Sequence, residues 1–78
     1  MNGFLVMGIG TFDVPLAIFK SRSVAMEYAE DVTAAEVSAA IHAAWRQVAV
    51  DPSPISVVLV PIVGGEPQPF EVVKSFEE

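Results

Sequence analysis

The 78-residue chain predicts an α+β domain in the order β-β-α-α-β-β, a four-stranded, mostly antiparallel sheet with two helices packed on one face. Three observations lead there. Apolar segments broken by Asp, Gly and Pro stand at both ends of the chain and read as hairpins. Apolar residues at helical spacing fill the middle, and a capping signal at Thr33 divides that middle in two.

The first strand is expected over residues 4–11, a turn over 11–15 with Asp13 and Pro15, and a second strand over 16–20. Ser21 then stands where a helix N-cap is wanted, ahead of a helix over 22–31. On a helical wheel Val24, Ala25, Tyr28, Ala29 and Val32 gather on one side, with Arg22, Met26 and Glu30 opposite. Thr33-Ala34-Ala35-Glu36 fits a capping box, with Val32 and Val37 placed as a hydrophobic staple. A second helix therefore starts at Ala34 and runs to about residue 48 or 49, where Asp51-Pro52 stops it. One unbroken helix over 22–49 would be about 42 Å long and would overhang strands of this length, so two helices meeting near Thr33 are expected.

The second helix carries a core stripe of Val37, Ile41, Ala44, Trp45 and Val48, and its outer side shows Ala35, Ala39 and Ala43. Asp51-Pro52-Ser53-Pro54 is a stiff connector into a third strand over 55–63. Gly64 and Gly65 supply a turn, Pro67 and Pro69 delay the return pairing, and the last strand covers 70–76. Strict alternation in that strand puts Phe70, Val72 and Phe76 on one face and Glu71, Val73 and Ser75 on the other.

Residues 55–63 are apolar on both faces, unlike a strand with one wet side. A chain this short has little protein with which to cover two faces of a sheet. With helices on one side only, the other exposes either Val58, Val60 and Ile62 or Ile55, Val57 and Leu59, and a second copy is the simplest cover. Composition agrees: 53% of residues are hydrophobic before glycine is added, against about 45–50% with glycine in ordinary soluble domains. The longest apolar runs, 4–12 and 55–63, fall far short of the about 20 residues of a membrane-spanning helix. No basic residue precedes Lys20, so a secretory signal is not expected and the reading is cytoplasmic, a single domain over 1–78.

Charge and chemistry narrow the function classes. Ten acids against four scattered bases (Lys20, Arg22, Arg46, Lys74) give a net charge of −6, which argues against nucleic acid as a partner. Without cysteine there is no disulfide framework, thiolate nucleophile or Cys-ligated zinc. Gly8-Ile9-Gly10 is not a dinucleotide loop, because its third glycine position falls on Asp13 and a turn follows where a helix should start. The two glycines instead leave room on a strand for a bulky neighbour such as Trp45, or for a ligand. His42 lies on the Ser38 and Arg46 flank of its helix with no acid of that helix beside it, which is the setting of a solvated histidine. Glu27, Glu30, Asp31 and Glu36 lack calcium-loop or Asp-x-Asp spacing and read as a solubilising face, so no metal or cofactor is expected. The serines have no nucleophile-elbow context.

Two functions are therefore weighed. The first is a non-enzymatic interaction or structural module that forms homodimers or larger assemblies, or binds another protein, through Val58, Val60 and Ile62 or through Ala39 and Ala43. The alternative is a dimeric small-molecule-binding protein or enzyme with a pocket between sheet and helices at Gly8, Gly10, Tyr28, His42 and Trp45.

Overall fold

The structure, a computed structural model, describes residues 2–10, 12–44 and 56–76. It is an α+β fold with seven elements among the described residues: β1 (Gly3–Ile9), β2 (Val14–Phe19), α1 (Arg22–Asp31), α2 (Ala34–Ala44), β3 (Ser56–Val63), β4 (Glu66–Pro67) and β5 (Glu71–Ser75). Every strand pairing is antiparallel, in the order β2-β1-β3, with β4 and β5 both on the far side of β3. The fourth strand position is thus shared by two short strands, so among the described residues the sheet has five strands where the sequence suggests four.

Both helices lie on one face. One core cluster joins Val6, Val14, Val57 and Leu59 of the sheet to Ala25 and Ala29 of α1, Val37 and Ile41 of α2, and Val32 between them. The register places Phe4/Pro61, Val6/Leu59 and Gly8/Val57 as cross-strand pairs on this face. Gly8 is needed for closeness: a Cβ there would stand 2.7 Å from Val37 Cγ1, so α2 sits directly on the strand. Val37 is the described neighbour of Gly8; Trp45, Val48 and the 51–54 connector lie outside the described residues.

The helices part where the sequence indicates. The Glu36 amide donates to Thr33 Oγ1 at 3.2 Å, and Val32 leaves the helix with φ −64° and ψ 132°. Ser21 occupies the N-cap of α1, but its hydroxyl makes no cap bond and pairs at 3.0 Å with the Ser23 hydroxyl. The expected side-chain cap is absent there. The α1 stripe also sits rotated from the wheel: Met26 packs on the core and Val24 is exposed. In α2 the inner residues are Val37, Ala40 and Ile41, while Ala44 is exposed. Neither helix carries a stripe strong enough to fix its rotation to one residue. The sheet beneath decides it.

The strand boundaries shift for similar reasons. β2 begins at Val14 and includes Pro15, which an outer strand tolerates because the missing N–H need not serve the ladder. Gly64 and Gly65, with φ of 60° and 82°, form a two-residue turn that both need positive φ, and pairing resumes at once with Val63↔Glu66 and Ile62↔Pro67. The Asn2 side-chain oxygen accepts from the Gly64 amide at 2.7 Å and holds this turn against the start of β1. The prolines break the return strand after two residues instead of delaying it, and Gln68 bridges the gap by donating its amide to the Pro61 carbonyl at 2.8 Å.

A register shift opposite Val57/Val58 changes the phase of β5. Val58 pairs with Val72 but Val57 pairs with Lys74, leaving Val73 as the extra residue of a bulge. Phe76 consequently joins Val73 against the core, while Phe70 and Val72 are exposed, so the three do not share a face as alternation implied. Two polar contacts tie β5 to α1: a two-oxygen pair from Arg22 to Glu71 at 2.7 and 3.0 Å, and a 2.6 Å bond from Lys74 Nζ to the Glu30 carbonyl near the end of α1.

Candidate functional site

The register that sends Val6, Val57 and Leu59 toward the helices sends their neighbours the other way. On the opposite face, helix-free among the described residues, the cross-strand pairs are Gly3/Ile62, Leu5/Val60, Met7/Val58 and Ile9/Ser56 between β1 and β3. Leu5/Ile18 and Met7/Pro15 extend the face onto β2. Val58/Val72, Ser56/Ser75 and Ile62/Pro67 extend it across the opposite edge. Among the described residues, no charged side chain occupies a register position there; Glu66, Glu71 and Lys74 all fall on the helix side. The helix side collects the charge, and the other side is apolar from edge to edge apart from two serines.

Exposure across this face is uneven. Val58 and Val60 at the centre are 1% and 8% exposed, Leu5, Met7, Ile9 and Ile62 are partly exposed, and Ile18 (47%) and Val72 (54%) at the two edges are open. Phe70, immediately before β5 and 62% exposed, adds to the β5 edge. Of the three sheet residues singled out from the sequence, Val58, Val60 and Ile62 do share the helix-free face. The area another molecule would meet is nevertheless supplied mostly by Leu5, Met7, Ile9, Ile18, Ile62, Phe70 and Val72. Most of these could not be found from the pattern of one strand, because they reach the face only through strand order and register. The Leu5, Met7, Ile9 spacing on β1 was the available signal.

The other candidate residues are distributed as follows. Ala39 and Ala43 are exposed on the outer side of α2. Gly8 is buried under Val37, and Gly10 is partly buried beyond the end of β1. Tyr28 is partly buried with its ring 5.2 Å from that of Phe19, tilted by 51°. His42 is exposed on α2, and Trp45 lies outside the described residues. At Gly8 the room left by the missing side chain is taken by Val37 of α2, a neighbour of the kind expected there. No group of three or more His, Asp or Glu able to hold a metal ion occurs among the described residues. No helix among them is long and apolar enough to cross a membrane.

The chain matches no family model, no curated protein and no solved structure. The functional reading therefore rests on the geometry of this face.

Proposed function

We propose that the protein is a non-enzymatic interaction module that self-associates, with the helix-free face of the sheet as its working surface. One observation carries this reading: among the described residues a largely apolar face without charged side chains spans all strands, in a chain whose net charge is −6. Its centre is already covered within the chain, and what stays open, at Ile18, Phe70 and Val72 with parts of Leu5, Met7, Ile9 and Ile62, loses water-exposed area only by meeting another surface. A 78-residue domain also buries a smaller fraction of its surface alone than a larger one does, which makes association a ready source of stability. Sedimentation velocity over a concentration series tests the reading. Self-association predicts a sedimentation coefficient that rises with concentration at micromolar and higher levels; a constant monomer value up to about 1 mM, weaker than any specific interface would give, removes it.

A further inference from the structure

We infer that β5 is a releasable edge strand, latched to α1 by charge and hydrogen bonds instead of by burial, and that its release bares the edge of β3 over residues 56–59. β1, β2, β3 and both helices each contain at least one buried residue, whereas β5 contains none, and Glu71, Val72 and Ser75 within it are exposed. Val73 and Phe76 reach the core but stay partly exposed, and the cluster of buried residues holds no member of β5. The ladder to β3 is short and interrupted by the Val73 bulge, and residues 68–70, outside any strand, separate β5 from β4. An element with so little buried apolar surface opens at a lower free energy than the sheet it leans on. Its departure leaves β2-β1-β3 and the two helices with their core intact.

The latch has two ends. Arg22 is the first residue of α1 and pairs with Glu71, the first of β5, at 2.7 and 3.0 Å; Lys74, last but one in β5, donates at 2.6 Å to the carbonyl of Glu30, last but one in α1. Eight residues of helix rise about 12 Å and three of strand about 10 Å, so the two fastenings are spaced alike on both elements. Lys74 Nζ also lies 5.5 Å from the centre of the Phe76 ring, and its charge sits at the C-terminal end of α1, where the helix dipole favours a cation. Two of the four bases in the chain are spent on this one contact. The Arg22 and Glu71 side chains are about half exposed (53% and 50%), so water and salt reach the pair and weaken it. Closed, β5 covers the outer backbone groups of Ser56 to Leu59; released, it leaves them as an open strand edge able to accept another strand.

Amide hydrogen exchange of the intact chain in dilute solution, resolved by residue with NMR and repeated at sub-denaturing urea concentrations, tests the latch. The amides of β5, and those of β3 that face it, should exchange at least about 10-fold faster than those of β1 and depend less steeply on urea, because the opening exposes little surface. Glu71→Gln should speed exchange in β5 by a further factor of about 2 to 5, the range an exposed ion pair allows, and leave β1 unchanged. Glu27→Gln, which removes the same charge from an exposed position of α1, should leave both unchanged. Raising salt to about 0.5 M, where the screening length is about 4 Å, should reproduce the Glu71→Gln effect in the wild type and add little in that variant. β5 and β1 exchanging at one rate with one urea slope would show that β5 opens only with the whole fold and would overturn the release. Equal effects of Glu71→Gln and Glu27→Gln, or wild-type exchange in β5 indifferent to salt, would overturn the latch.

Discussion

Gly8 shows how much of this fold depends on single atoms. Val37 Cγ1 stands 2.7 Å from where a Cβ at position 8 would be, so Gly8→Ala forces α2 and β1 apart and is expected to cost about 1–3 kcal/mol. Val37→Ala in the same chain should recover part of that loss, and urea denaturation of the two single variants and the pair gives the coupling directly. Additive losses would mean that the two side chains do not compete for the space. The capping residues supply a matched comparison. Thr33→Ala removes an acceptor for the Glu36 amide and should cost about 1 kcal/mol, whereas Ser21→Ala, whose hydroxyl pairs with Ser23 and makes no cap bond, should stay within about 0.5 kcal/mol by the same measurement. Thr33 was legible in the sequence because a capping box is local, with both partners lying within four residues. Ser21 had the right residue type in the right place, and its hydroxyl went to a neighbour that the type alone does not reveal.

At the level of elements, the helix division, both hairpins and the glycine turn followed from local chemistry, and the phases of α1, α2 and β5 did not. Val24 and Met26 flank the buried Ala25 on α1, and which of them turns inward depends on what the sheet places beneath. The Val73 bulge adds one residue to β5 and moves Phe76 to the core, with no marker in the sequence other than the two valines themselves. The packing of α2 gives a test at this scale. Ile41 is fully buried in the cluster with Val37, so Ile41→Ala should cost about 2–5 kcal/mol, while the adjacent exposed His42→Ala should stay within about 0.5 kcal/mol. Thermal and chemical denaturation of both variants checks the rotation of the helix. A larger loss at His42 than at Ile41 would reverse it.

For the whole molecule, the apolar run of β3 marked a second apolar face of the sheet, but most members of that face come from four other segments that only the fold assembles. The two-sidedness of β3 is a property of one stretch of sequence; Leu5, Ile18, Phe70 and Val72 join it through the β2-β1-β3 order and the registers on either side. The central claim is that copies meet on this face, and side-chain methyl NMR with a soluble paramagnetic agent tests it most directly. Exposed valines on the helix side, Val24 on α1 and Val63 opposite Glu66, serve as controls within the same sample. Between about 20 μM and 1 mM protein, spanning the range in which a weak interface fills, the methyls of Leu5, Ile18, Ile62 and Val72 should become protected from the agent while Val24 and Val63 stay bleached. Protection that appears at Val24 and Val63 and not at Ile18 and Val72 would contradict the account.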